Sequence, residues 1–227
     1  MTPNSVRSDF SEPVSLDCET LPWLRSPMPG VARRMLDRIG GEKARATSIV
    51  RYEAGSLFSS HAHPGGEEFL VLEGLFSDET GDFGPGCYVR NPVGSGHAPF
   101  SVEGCTIFVK LMQMAPDDRS RCVIDCTTAD WPDAEGGLAR LELHRFGSES
   151  VAMVRLNPGT ETRLDFRQGG EMLLLSGEIE TAAGRARPLH WWRQPAGTSL
   201  GLASHDGALF WLKHGLPFPA GYEEKMR

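Results

Sequence analysis

The feature that most constrains this chain is an internal repeat. Ile49-Val50-Arg51-Tyr52-Glu53-Ala54-Gly55 matches Met153-Val154-Arg155-Leu156-Asn157-Pro158-Gly159. Gly65-Gly66-Glu67-Glu68 through Gly74 matches Gly169-Gly170-Glu171 through Gly177, with one residue missing beside Glu171. Arg90-Asn91-Pro92-Val93-Gly94 matches Arg193-Gln194-Pro195-Ala196-Gly197. Gly104-Cys105-Thr106-Ile107-Phe108-Val109-Lys110 matches Gly207-Ala208-Leu209-Phe210-Trp211-Leu212-Lys213. Chance similarity does not keep register through four blocks, so the 227 residues divide into two domains of one fold. The expected division is 1–115 and 116–227, with Gln113–Arg121 as linker and the first twenty-odd residues as an arm lying across a barrel or a partner subunit.

Each half reads as short strands between turn residues. Ala46–Tyr52, Phe69–Phe76, Cys87–Asn91 and Thr106–Met112 are rich in β-branched and aromatic residues, with Gly, Pro, Asp and Asn between them. Helical periodicity is scarce, and Ala32–Arg38 fits either a strand or a turn of helix. An all-β fold of two small barrels or sandwiches is expected.

Hydrophobic residues make up 40%, enough for two cores, and the net charge of −7 argues against nucleic acid or an anionic membrane surface as partner. Met1–Phe10 has no apolar stretch that would serve as a secretory signal, and the longest apolar run, Phe69–Leu72, is too short to span a bilayer. Five irregularly spaced cysteines do not form a disulfide framework, so a reduced, cytoplasmic protein is expected. Cys122-x3-Cys126 lacks thioredoxin-like spacing and reads as structural.

The first half carries Gly55-x5-His61-x-His63-x3-Glu67-x6-Gly74, followed by Gly86-x5-Pro92-x-Gly94-x2-His97. Strand side chains alternate, so His61 and His63 point the same way. Pro64-Gly65-Gly66 turns the chain toward Glu67, and Pro92-Val93-Gly94 turns it toward His97. Imidazole plus carboxylate suits iron, manganese, nickel or zinc. Glu68 is a rival to Glu67, and only one of two adjacent strand residues can face the ion. Glu67 is preferred because it keeps the six-residue gap to Gly74.

These two motifs are similar to the double motif of the cupin superfamily, with Ser101 where an asparagine is usual. Pro29–Arg38, Ala44–Tyr52, Glu67–Gly74, Tyr88–Pro92 and His97–Pro99 resemble, more narrowly, the cupin domain of ChrR-type anti-sigma factors. The resemblance implies two tandem cupin (double-stranded β-helix, jelly-roll) barrels. It also implies one divalent metal ion held by His61, His63, Glu67 and His97, with zinc favoured over iron, manganese or nickel, and a role in stress sensing. The family's sigma-binding module rests on a His-x3-Cys-x2-Cys motif. No histidine precedes His61 and Cys18 stands alone, so a sigma factor is not expected as a direct partner.

In the second half Asp165, Arg167, Glu171 and Leu200 align with His61, His63, Glu67 and His97, so that barrel is expected to hold no metal. Arg167 is expected to pair with Asp165 or Glu171. His190, His205 and His214 match no site, and Trp191, Trp192 and Trp211 are expected to fill the second core or an interface between subunits. Two functions follow from the metal, and the resemblance favours the regulatory one, with the dioxygenase as the alternative. Four-coordinate zinc would be a closed site in a regulatory, small-ligand-binding protein. Six-coordinate iron(II), manganese or nickel would leave two positions open, as in a dioxygenase acting on a small diketone or thiol. No catalytic residue is assigned. Arg51, Tyr88 and Arg90 lie near the site in sequence, and a homodimer through terminal strands is compatible with the fold.

Overall fold

The computed structural model describes residues 4–41 and 43–216. Nearly all regular structure is antiparallel strand, with a single 3-10 turn at Cys18–Thr20 among the described residues. Among these residues no helix is long and apolar enough to cross a membrane. Ala32–Arg38 lies within one nine-residue strand, Val31–Ile39.

The described residues form two compact units, 4–8 with 22–128 and 9–21 with 129–216. In the first unit a large sheet runs Ser5–Val6, Val31–Ile39, Arg45–Tyr52, Cys105–Leu111, Glu67–Gly74, Cys87–Asn91, Cys122–Asp125. A four-stranded sheet and the two-stranded ribbon His61–His63/Ser95–His97 complete the jelly roll. In the second unit the large sheet runs Leu138–Phe146, Glu149–Leu156, Ala208–His214, Gly170–Gly177, His190–Gln194, Val14–Asp17. It is accompanied by a four-stranded sheet built on Thr160–Phe166 and Thr198–Ser204.

Side-chain alternation decides what enters each core. On Glu67–Gly74, Phe69 and Val71 join Val50, Phe76, Val89, Ile107 and Val109 in the first core. The second core gathers Phe166, Met172, Leu174, Trp192, Phe210 and Leu212. Trp191 and Trp211, odd neighbours of these positions, are buried outside that cluster.

The compact units differ from a division at 115/116 in two places. Cys122–Asp125 pairs with Cys87–Asn91 and so extends the first unit to Thr128, beyond the expected linker. Val14–Asp17 pairs with His190–Gln194, which places residues 9–21 in the second unit. The two added strands are copies of each other. Val14-Ser15-Leu16-Asp17-Cys18 corresponds to Cys122-Val123-Ile124-Asp125-Cys126 in register. Asp17 and Asp125 each accept a backbone N–H two residues on, from Glu19 and Thr127, at 2.9 Å. Cys18 N–H donates to Leu189 O at 3.0 Å and Cys126 N–H to Gly86 O at 3.1 Å. The repeat therefore begins earlier than its four strong blocks, and each copy's opening strand closes a sheet edge of the other unit.

Two glycines mark the same bend in both copies. Gly74 has φ +71°, and a Cβ there would stand 2.1 Å from Gly104 O; Gly177 has φ +76° and the same separation from Gly207 O. Gly74→Ala is expected to lower stability by about 2 kcal/mol or more, because both the backbone angle and the space are wrong. Urea unfolding measures this. In the second unit, burial and then Arg140 push the His214 imidazole down to about 4 from its usual 6.5. The unfolded chain binds the extra proton between those values. Stability from this group is therefore complete above pH 6.5 and lost as pH falls toward 4, by about 2–3 kcal/mol. His214→Gln should flatten that part of the pH–stability curve.

Candidate metal centre

The ribbon His61–His63/Ser95–His97 sets His97 directly opposite His61 and Ser95 opposite His63. Its strands approach closely because position 96 is glycine: a Cβ there would meet His61 O at 2.6 Å. Both turns flanking the ribbon close on one carbonyl, since Gly66 N–H and Gly94 N–H donate to His63 O at 3.1 and 2.9 Å. His61 and His63 share a face, and His97 joins them across the ribbon. The ring centroids are 5.0, 5.1 and 4.8 Å apart, and one nitrogen from each ring falls within 4.8 Å of the others.

Glu67 faces this cluster. Its Oε2 lies 3.5 Å from His63 Nε2 and 3.4 Å from His97 Nε2. Glu68, one residue on, points to the opposite face, where it accepts Tyr88 Oη–H at 2.6 Å and Arg90 Nη1–H at 3.1 Å. The period of two thus separates the two candidate carboxylates. It also removes Tyr88 and Arg90 from the site, and Arg51 lies instead over the Trp23 ring at 4.1 Å.

The donor set fits a divalent ion. His63 Nε2 is buried and has no hydrogen-bond partner among the described residues. Burial holds the His63 imidazole below its usual pKa; Glu67 opposes the shift, and His97 and His61 reinforce it. The ring is therefore neutral with a lone pair available, which is the ligating form. Three imidazoles and one carboxylate are a first-row metal set.

A layer of partners behind this set was not apparent from spacing. Asp78 Oδ2 lies 2.9 Å from His97 Nδ1, which fixes the proton there and turns Nε2 toward Glu67. Burial pushes the Asp78 carboxyl upward, but hydrogen bonds from Thr80 and His97 outweigh it and hold the group below its usual range. Asn91 Nδ2–H donates to Glu67 Oε2 at 3.3 Å. Sequence signals exist for both: Asp78 precedes the Glu79-Thr80 turn, and Asn91 precedes the Pro92 turn.

A pocket of about 390 Å³ opens beside His61, His63 and Glu67. Val31, Phe58, Val109, Leu111 and Met112 give it apolar walls; Tyr52, Arg33 and Lys43 supply polar groups. Burial and then Glu67 and Cys105 push the Tyr52 phenol upward, so it keeps its proton. Tyr52, Arg33 and Lys43 were not singled out by the motifs.

The second unit differs at each equivalent place. Strand register puts Glu171 opposite Lys213, as Glu68 is opposite Lys110, so Glu171 is the counterpart of Glu68. Gly170 occupies the place of Glu67. Glu171 accepts Trp191 Nε1–H at 3.2 Å, repeating the Tyr88–Glu68 contact. Asp165 is exposed, 3.8 Å from Arg163, rather than paired with Arg167. Leu200 is partly buried and packs against the apolar core of that unit.

Asp78→Ala is expected to weaken nickel binding to the metal-free chain by about 10- to 100-fold with unchanged circular dichroism. Calorimetric titration reads the affinity.

No curated protein sequence matches the chain. Solved structures show the fold. A proposed dioxygenase from Nostoc punctiforme is 17% identical, with a TM-score of 0.75, covering 93% of this chain and 85% of its own. Pirin from Escherichia coli, in complex with nickel(II), is 11% identical at a TM-score of 0.67, covering 91% and 100%. Oxalate decarboxylase from Bacillus subtilis, with Mn(II) centres, is 11% identical at 0.61, covering 91% and 78%. By sequence, residues 11–115 and 119–217 each match the profile of the ChrR cupin-like domain. The chain belongs to the ChrR cupin-like domain family and carries that domain twice.

Proposed function

We propose that the first cupin is a metal-dependent catalytic centre of oxygenase type acting on a small organic molecule, and that His61, His63, Glu67 and His97 are its metal ligands. One observation carries this reading: the pocket of about 390 Å³ abuts three of the four donors, so a ligand can reach the ion. A structural zinc site would be closed by its four protein ligands. Iron(II), manganese or nickel is therefore preferred over zinc, in keeping with the nickel(II) and Mn(II) of the structural neighbours.

The bound ion supplies Lewis acidity and a template for the substrate. The chain's own residues do the rest. Asp78 orients His97, and Asn91 restrains Glu67. The apolar walls exclude water from the reacting face. The Tyr52 hydroxyl stands ready to donate a hydrogen bond to a ligand oxygen. The second cupin, with Gly170 and Leu200 at the places of Glu67 and His97, serves the fold.

The family match supports a second reading, in which the same pocket senses a small ligand during stress. In that case the signal enters through the pocket rather than through thiol oxidation. Burial pushes the Cys87 and Cys122 thiols up to about 11 and Cys126 up to about 12, which suppresses the reactive thiolate.

Protein purified without chelators should contain about one first-row ion per chain, absent from the His61→Ala/His97→Ala variant. Oxygen uptake with acetylacetone by the iron-loaded chain supports the enzyme. Stoichiometric metal in the double variant would sink the ligand assignment. Tightly held zinc without turnover in any metal-loaded form favours the sensor.

A further inference from the structure

Met112 stands in a backbone conformation that favours glycine. Its φ is +60°, and of the described non-glycine residues with positive φ, Arg7, Met112 and Leu189, it is the one that lines the pocket. The second copy supplies the comparison. Lys213 corresponds to Lys110, so Gly215 takes the place of Met112. The hydrogen bonds agree: Met112 N–H donates to Gly66 O at 3.1 Å, and Gly215 N–H donates to Gly169 O at 3.0 Å. Gly215 has φ +75°. The fold thus accepts glycine at this turn, and the first copy carries a side chain there against the preference of the backbone.

Room for that side chain comes from two sides. In the second copy only Gly147 and Ser148 separate the cross-strand partners Phe146 and Glu149, and Ser148 O stands 2.8 Å from where a Cβ on Gly215 would be. In the first copy residues 40–44 separate the corresponding partners Ile39 and Arg45, and Lys43 and Ala44 line the pocket with Met112. On the other side Gly65 leaves space: a Cβ there would lie 2.6 Å from Met112 Sδ and 2.7 Å from Met112 Cα. The second copy has Gln168 at that place, one residue before Gly169. Methionine and glycine in the first copy are therefore glycine and glutamine in the second.

We infer that Met112 is a specificity-determining residue that sets ligand size at the candidate metal centre. It shares the pocket wall with His63, Gly66 and Glu67, so its side chain limits the space beside the imidazoles to a compact ligand. An unbranched thioether follows the contour of such a ligand closely. The inference rests on the accessible metal centre proposed above.

The test titrates the nickel-loaded full chain with acetylacetone and with its bulkier phenyl analogue, benzoylacetone. The readout is the ratio of the two dissociation constants, compared between variants so that each diketone's intrinsic affinity for nickel cancels. Met112→Gly, which suits the backbone angle, is expected to keep its nickel and to shift the ratio toward benzoylacetone by about tenfold or more. Met112→Leu, of similar volume, should keep the wild-type ratio. If Met112→Gly leaves the ratio within about twofold of wild type, if it loses the nickel, or if Met112→Leu shifts the ratio as far, the size assignment is overturned while the accessible centre stands. If neither the nickel-loaded wild type nor Met112→Gly takes up either diketone, both readings fall.

Discussion

The alternation of side chains along Glu67–Gly74 organises the first barrel. Glu67, Phe69 and Val71 face inward, toward the imidazoles and the core; Glu68 faces outward, toward Tyr88 and Arg90. A slip of one residue would exchange these sets. It would bring a carboxylate held by Tyr88 and Arg90 to the imidazoles and expel Phe69 from the core. Phe69 and Val71, each almost fully buried, oppose such a slip. The candidate metal centre thus inherits its precision from ordinary core packing rather than from any attraction among the candidate ligands.

Much of this was legible from residues. The His61-x-His63 spacing implies one face, and the two turn motifs bring His97 across the ribbon; the structure places all three rings within about 5 Å of one another. The four repeated blocks implied two barrels. What escaped depends on contacts between residues far apart in sequence. Asp78 meets His97 only after the sheet closes, and Tyr52 enters the pocket with Val50 from the even-numbered face of a different strand, Arg45–Tyr52. The strands Val14–Asp17 and Cys122–Asp125 are short, and the first contains only two apolar residues. Their likeness emerges from pairing with His190–Gln194 and Cys87–Asn91.

One misalignment is instructive. Matching Glu171 to Glu67 placed the missing residue on the wrong side of the glutamate. Side-chain composition could not choose, since both positions are glutamate in the first copy. Register chooses: Glu171 lies opposite Arg193 and Lys213 as Glu68 lies opposite Arg90 and Lys110. The second copy therefore lost the inward carboxylate as well as the histidines.

The two copies can then be compared as an internal control. The outward set of glutamate, arginine, lysine and a hydrogen-bonding aromatic persists in both, at Glu68, Arg90, Lys110 and Tyr88 and at Glu171, Arg193, Lys213 and Trp191. The inward set survives in only one. Buried charges are expensive to strand without partners, so a network of this kind resists piecemeal loss once the fold depends on it. Ligands at a barrel mouth carry no such constraint, because apolar residues can replace them and gain burial, as Leu200 does. The persistence of the outward set marks it as a requirement of the fold. The inward set is kept only in the first barrel, where His61, His63 and Glu67 line the pocket.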